Sequence, residues 1–211
     1  MMPLRNILVR AGERVVIHTP EWPNIANAVR LREARAFVLS SPNNPTGWTA
    51  TADELQSLLD ICRRKRIWLI ADEAYSRLVY TGAAAAASLL EITDPDDRVM
   101  ACNSFSKTWI MTGWRIGWIV VLEGARNTVM ELVKVTHSGV APFIKHGGIA
   151  AIGDPQVAED FRAVCAEERR ITDKALVGLI LRPCHAERGV LCLYRGECIV
   201  KLSNFIQPTG E

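Results

Sequence analysis

Aromatic side chains and unbalanced charge are both scarce in this sequence. Only 7% of the 211 residues are aromatic, and 25 Lys and Arg against 23 Asp and Glu leave a formal net charge of +2. A nucleic-acid interface needs a concentrated basic surface, so we expect no nucleic-acid partner. No apolar run reaches the roughly 18–20 residues that span a bilayer, so we expect no membrane partner either.

Spaced motifs for metals, disulfides and dinucleotides are also missing. None of the six cysteines forms a Cys-x-x-Cys pair, and the cluster Cys184, His185, Cys192 and Cys198 is irregularly spaced. We therefore expect no metal site and reduced thiols. Residues 1–10 contain no apolar core before a small-residue cleavage site, which favours a cytoplasmic protein. No Gly-x-Gly-x-x-Gly follows the first apolar run, and this disfavours a nicotinamide-dependent oxidoreductase.

Hydrophobic residues, by contrast, make up 49% of the chain and alternate between two patterns. Short, nearly continuous apolar runs are typical of strands in a parallel sheet that is covered on both faces. The candidate strands are Arg14–His18, Ala36–Ser40, Ile67–Ala71, Val99–Asn103 and Ile116–Val121. With helical patterns between them, they predict an α/β fold with a mainly parallel sheet flanked by helices.

The clearest helical pattern runs over Ala52–Lys65. Thr51 and Glu54 form a capping-box signature at its start. Apolar residues at helical spacing mark one face, namely Leu55, Leu58, Leu59 and Cys62. A strand, this helix and the next strand predict a right-handed βαβ unit.

A second long helical pattern covers Pro155–Leu181. Its candidate core positions are Val157, Phe161, Val164, Ile171, Ala175 and Leu179. Beyond Arg182 the pattern weakens into short apolar segments. We therefore predict a large domain over residues 1–155, and a connecting helix with a reduced α+β remnant of a small domain over residues 156–211.

Polar and ionisable residues gather directly after the candidate strands. The three segments are SPNNPTG at 41–47, DEAY at 72–75 and SFSKTW at 104–109. Arg115 follows eight residues past Lys107, within GWRIGW at 113–118. The carboxyl ends of parallel strands share one sheet edge, where α/β proteins bind ligands. An amine beside apolar groups can attack an aldehyde, and hydroxyls with a guanidinium can bind a phosphate. Together with an acid for a ring nitrogen, these groups describe a pyridoxal phosphate site.

These four segments, in this order, resemble the fold-type I, class I and II aminotransferases of the aspartate aminotransferase superfamily. Each segment alone is weakly specific, but 28 residues separate Asn44 from Asp72 and 35 separate Asp72 from Lys107, and the ordered set is strongly specific. The resemblance runs from about Glu13 to about Ile152. It implies a homodimeric, pyridoxal-phosphate-dependent aminotransferase of amino-acid metabolism, which moves an amino group between an α-amino acid and a 2-oxo acid.

The resemblance also implies the catalytic roles. Lys107 would hold the cofactor aldehyde as a Schiff base (the internal aldimine) and then move a proton, while Asp72 would keep the ring nitrogen protonated. Asn44 and Tyr75 would hydrogen-bond the phenolic oxygen. Three of these residues have a plain structural alternative. Asn44 could shape a turn, Asp72 could cap a helix and Tyr75 could belong to the core.

The remaining cofactor contacts implied by the resemblance lie on loops. Ser104, Ser106 and Arg115 would bind the phosphate, and Trp22 would stack on the cofactor ring. The two serines could instead be ordinary loop residues, Arg115 could form a surface ion pair, and Trp22 beside proline could serve packing alone.

This sequence also departs from the family pattern. It has about half the length of a typical member, lacks the glycine-containing helix start that would bind the phosphate, and offers no clear match to the arginine that binds the substrate carboxylate. It therefore reads as a truncated member. Two further hypotheses stay open: a pyridoxal-phosphate-dependent lyase or synthase of the same fold, and a catalytically impaired fragment that binds the cofactor.

Overall fold

The computed structural model describes residues 15–17, 36–176, 182–184 and 193–195. Seven strands occur in these ranges: β1 Val15–Ile17, β2 Ala36–Ser40, β3 Trp68–Asp72, β4 Val99–Ser104, β5 Gly117–Val120, β6 Arg182–Cys184 and β7 Leu193–Arg195. The α-helices are α1 Ala52–Lys65, α2 Phe105–Thr108, α3 Glu123–His137, α4 Pro142–Gly153 and α5 Pro155–Leu176. Short 3-10 helices cover Leu89–Glu91 and Thr112–Trp114.

The first five strands form one sheet in the order β1-β2-β3-β4-β5. Strands β1 to β4 run parallel, and β5 pairs with β4 in the antiparallel direction. The predicted α/β class with a mainly parallel sheet flanked by helices is therefore confirmed. In a separate pair, β6 runs antiparallel to β7.

Two apolar layers cover the sheet, one on each face. On one face, Leu55 and Leu59 of α1 pack with Leu69 of β3. On the other face, Val129 of α3 packs with Met100 of β4. Alternate residues of a strand point to opposite faces, so β3 and β4 contribute to both layers and their apolar runs are nearly continuous.

Helix α1 has the predicted bounds because its first turn satisfies its own backbone. The Glu54 N–H donates to Thr51 Oγ1 at 3.2 Å, and the Thr51 N–H donates to Glu54 Oε2 at 2.7 Å. The chain leaves the helix at Arg66, which adopts a left-handed conformation with φ 52°. The reciprocal cap fixes the helix start, and the left-handed residue ends the helix and turns the chain toward β3.

The prediction for Ile116–Val121 as a buried parallel strand is wrong in direction and burial. The strand covers Gly117–Val120, runs antiparallel to β4 and lies at the sheet edge. Trp118 and Val120 are exposed. An apolar run alone does not distinguish a central strand from an edge strand, because both carry the same residue types.

The expected core face of α5 is also corrected. Val157, Val164 and Ile171 are exposed; Ala175 is exposed too, Phe161 is half-buried and Leu179 lies outside the described residues. The helix instead packs on the face that contains Ala158, the residue after Val157. Ala158 is 4% exposed, and the Arg162 guanidinium donates to the Ala83 carbonyl at 2.8 Å. The apolar stripe that the sequence pattern marks is therefore not the face that packs against the described part of the chain.

The division into residues 1–155 and 156–211 stays a prediction, and most of the expected remnant beyond Arg182 lies outside the described residues. Within the described ranges, no helix has both the length and the apolar character needed to cross a membrane.

The capping box generates a stability prediction. Replacing Thr51 with Ala removes the oxygen that accepts from the Glu54 N–H, so we expect the free energy of unfolding to fall by about 1 kcal/mol. Chemical denaturation measures it. Ser57→Ala, an exposed mid-helix change on the same α1, is the matched control and should cost nothing; equal losses in both variants would contradict this assignment.

Candidate active site

The parallel register brings three strand ends to one edge of the sheet. Ser40 of β2 lies opposite Asp72 of β3, and Asp72 lies opposite Cys102 of β4. The Ser41 N–H also donates to the Asp72 carbonyl at 3.1 Å. Consequently the polar segments that follow these strands begin side by side, as the sequence predicts.

The loop after β2 is held by its own side chains. Asn43 is 2% exposed, and its Oδ1 accepts from the Thr46 N–H at 3.2 Å and from Thr46 Oγ1 at 2.6 Å. The Ala50 N–H donates to Ser41 Oγ at 3.0 Å. Asn43 therefore does the turn-shaping work that was the alternative for Asn44, and this leaves the Asn44 amide available to the site.

Asn44, Tyr75 and Lys107 meet although they are far apart in sequence. Asn44 Nδ2 donates to the Tyr75 hydroxyl oxygen at 3.1 Å. Lys107 Nζ lies 5.3 Å from the centroid of the Tyr75 ring. All three residues are half-buried, so an amine, a phenol and an amide lie close together and each stays partly accessible.

Asp72 is an acid with few partners. Its Oδ1 accepts from the Ala74 N–H at 3.1 Å, which forms a local turn and caps no helix. Burial raises the pKa of the Asp72 carboxyl, and the Ala74 N–H partly opposes that rise. A carboxylate in this state gains stability from a nearby cation or N–H⁺ donor.

Ser104 and Ser106 lie at the start of α2. Ser104 caps this short helix, and its Oγ accepts from the Ser106 N–H at 3.0 Å. The loop alternative for Ser104 is thus replaced by a capping role, in which its own hydroxyl proton remains free to donate. Since Lys107 is one residue beyond Ser106, the cap also fixes the helix that carries the lysine.

Arg115 lies beside this helix start without forming an ion pair in the described part of the chain. Its Nη1 donates to the Thr112 carbonyl at 2.9 Å, and the side chain is exposed. The next residue, Ile116, accepts from the Phe105 N–H at 3.2 Å. The backbone of Arg115 is therefore held next to Ser104. Trp22 lies outside the described residues.

The chemistry of these donors fits pyridoxal phosphate. A half-buried carboxylate with one hydrogen bond suits a protonated ring nitrogen, and an amine suits an aldehyde. Asn44 and Tyr75 are hydrogen-bonded to each other, and the Tyr75 hydroxyl proton and the second Asn44 N–H could both donate to a phenolic oxygen. A serine hydroxyl and an exposed guanidinium suit a phosphate.

The sequence pattern indicates no role for Glu73, but the structure gives its carboxylate several hydrogen-bond donors. It is 5% exposed and accepts hydrogen bonds from Ser88, Leu89 and Asn103. Burial raises the pKa of Glu73, and these three donors oppose the rise. The only signal available was an acid placed directly after a buried apolar strand.

Comparison with known proteins decides the family. A model described as "Aminotransferase class I and II" matches residues 33–170, which is more than half of the chain. This chain belongs to the class I and II aminotransferase family. The expectation from the four ordered segments is thereby confirmed. Aspartate aminotransferases depend on pyridoxal phosphate and act on amino acid and keto acid substrates.

Curated relatives agree with this membership. The chain is 32% identical over 181 residues to an aspartate aminotransferase of Bacillus subtilis, covering 72% of this chain and 46% of that protein. It is 28% identical over 172 residues to an aspartate aminotransferase of Sulfurisphaera tokodaii, covering 81% of this chain and 43% of the relative. The chain thus spans about half the length of the curated relatives it matches.

Solved structures share the fold. An aromatic aminotransferase from Pyrococcus horikoshii superposes with a TM-score of 0.82 at 23% identity, covering 89% of this chain and 58% of that one. A Thermus thermophilus aspartate aminotransferase variant gives 0.81 at 20% identity, covering 89% and 60%. The aminotransferase fold therefore extends over most of this chain.

Gly117 generates a prediction about the site edge. An added Cβ there would lie 2.5 Å from the Asn103 carbonyl oxygen, which is backbone. Gly117→Ala should push β5 away from β4 beside Ser104 and lower the free energy of unfolding by about 1–3 kcal/mol. Thermal or chemical denaturation measures it. Gly113→Ala, where nothing lies within 4 Å of the added atom, serves as control, and equal midpoints for the two variants would overturn this interpretation.

Proposed function

We propose that this chain is a pyridoxal-phosphate-dependent aminotransferase, which moves an amino group from an α-amino acid to a 2-oxo acid. The single observation that carries the proposal is the meeting of Asn44, Tyr75 and Lys107 at the sheet edge where Asp72 ends β3. These four residues lie inside the stretch that matches the family. The cofactor supplies an electron sink for the negative charge that develops at the substrate α-carbon.

Asp72 and the Asn44–Tyr75 pair would orient the cofactor ring. Asp72 would hold a proton on the ring nitrogen, since its half-buried carboxylate otherwise accepts a hydrogen bond from Ala74 alone among the described residues. Asn44 already donates to the Tyr75 hydroxyl, which leaves that hydroxyl proton free to donate to the phenolic oxygen.

Lys107 would have two successive tasks. Its Nζ, 5.3 Å from the Tyr75 ring centroid, would bind the cofactor aldehyde covalently in the resting protein. The same Nζ would also be the base that accepts the proton from the substrate α-carbon. A positioned base of this kind accelerates proton transfer by roughly 10²–10⁴-fold.

The phosphate would be bound at the start of α2. The Ser104 oxygen accepts from the Ser106 N–H, so the Ser104 hydroxyl proton is not used in that bond and could donate to the phosphate. Ser106 and Arg115 would add a hydroxyl and a guanidinium. Trp22 stays our candidate for the residue that stacks on the ring.

We further propose that the protein acts in the cytoplasm and pairs with a second copy of itself. Support for pairing comes from large apolar side chains that are exposed on α5 and at the β5 edge, including Val164 at 57% and Trp118 at 36%. Monomeric proteins rarely leave large contiguous apolar surfaces uncovered.

A half-reaction tests the proposed function. The protein loaded with pyridoxal phosphate is mixed with L-aspartate, the donor suggested by its relatives' names, and in parallel with L-glutamate and L-phenylalanine. We expect pyridoxamine phosphate and the matching 2-oxo acid to form in equal amounts with at least one donor. Chromatography measures both products. Elimination products instead would favour a lyase, and bound cofactor with no product would contradict transfer.

Lysine variants sharpen this test. Lys107→Ala should slow formation of the 2-oxo acid by at least about a hundredfold because the proton carrier is lost. Lys145→Ala removes an exposed lysine of α4 and should react like the unmodified protein.

A further inference from the structure

Glu73 lies behind the candidate site and joins three segments of the chain. Ser88 Oγ lies 2.8 Å and 2.9 Å from its two carboxylate oxygens, and the Leu89 N–H donates to Oε1 at 3.2 Å. Asn103 Nδ2 donates to Oε2 at 3.3 Å. A side chain that is 5% exposed and accepts from three residues is held firmly, because any movement would leave buried polar atoms without partners.

The hydrogen bonds among Glu73, Ser88, Leu89 and Asn103 form a network, which borders a candidate cofactor contact at two positions. Glu73 directly follows Asp72, and Asn103 directly precedes Ser104. The Glu73 N–H also donates to the Cys102 carbonyl at 2.9 Å, so the backbones of β3 and β4 stay joined one residue beyond their last sheet pair. The network therefore sets the spacing between the acid and the serine.

The network occupies the opposite face of the sheet from those two contacts. Side chains alternate along a strand, and Ala71 and Ala101 belong to the layer under α1. Asn103 continues that face, and Glu73 reaches Leu89 in the same layer. Asp72 and Ser104 alternate with them, so Glu73 does not contact a ligand held by those side chains.

We propose that Glu73 is a positioning residue which acts through Asn103 to hold Ser104 at the correct distance from Asp72 for binding pyridoxal phosphate. This inference rests on the proposed function. Asn103 transmits the restraint because its side chain is fixed at both ends: it donates to Glu73, and its Oδ1 lies 3.4 Å from Ser76 Oγ. Ser76 in turn lies one residue from Tyr75, so the same amide also restrains that turn.

A double-mutant cycle on cofactor affinity tests the proposal. The variants are Glu73→Gln, Asn103→Ala and the pair together, and the dissociation constant of pyridoxal phosphate is measured by absorbance titration. We expect each single variant to bind the cofactor about tenfold or more weakly, the size expected when a hydrogen bond to a charged group is lost. The double variant should bind no more weakly than the weaker single variant, because both changes remove the same restraint.

Controls separate positioning from general loss of stability. Arg63→Ala removes the ion pairs of the last turn of α1 with Asp94 and Asp97, just before β4 begins and so at the opposite edge of the sheet; it should leave the dissociation constant unchanged, and circular dichroism confirms that each variant is folded at the titration temperature. If Glu73→Gln does not fold, Asn103→Ala decides alone. Unchanged affinity in Asn103→Ala, or fully additive effects in the cycle, overturns the proposal. If the unmodified protein itself does not bind pyridoxal phosphate, the proposed function fails. If the unmodified protein binds it and the variants bind it equally well, only the positioning role of Glu73 fails.

Discussion

The parallel register of β2, β3 and β4 is the constraint on which the candidate site depends. It places Ser40, Asp72 and Cys102 in one row, so the segments that follow them start at the same sheet edge. The apolar layers on both faces stabilise that register, because a slip by one residue would turn every buried side chain toward the wrong face. The relative positions of the site residues are therefore set by the register of the sheet.

Two adjacent acids at this edge differ in how many hydrogen-bond donors the protein gives them. Asp72 is half-buried and accepts one hydrogen bond from the described part of the chain, so its carboxylate has capacity left for a ligand. Glu73 is buried with three donors, so its capacity is used within the protein. Removal of a carboxylate from water has a free-energy cost; the fold offsets that cost at Glu73, and under our proposal the bound cofactor would offset it at Asp72.

Much of the central sheet and the ordered segments could be predicted from the sequence. The bounds of α1 followed from Thr51 and Glu54, since capping is local chemistry. The direction of β5 and the packing face of α5 could not be predicted, because both depend on which neighbour covers an apolar surface. Glu73 was missed for a related reason: its partners Ser88 and Asn103 are distant in sequence, and only the folded chain brings them together.

Covalent labelling tests the central claim, that this edge of the sheet holds pyridoxal phosphate at one lysine. The protein is equilibrated with the cofactor, reduced with borohydride and digested, and the labelled peptides are mapped by mass spectrometry. The account predicts one cofactor per chain on the peptide that contains Lys107, with loss of that label in the presence of excess competing amine. A folded protein with no label, or with label spread over exposed lysines such as Lys145, would contradict it.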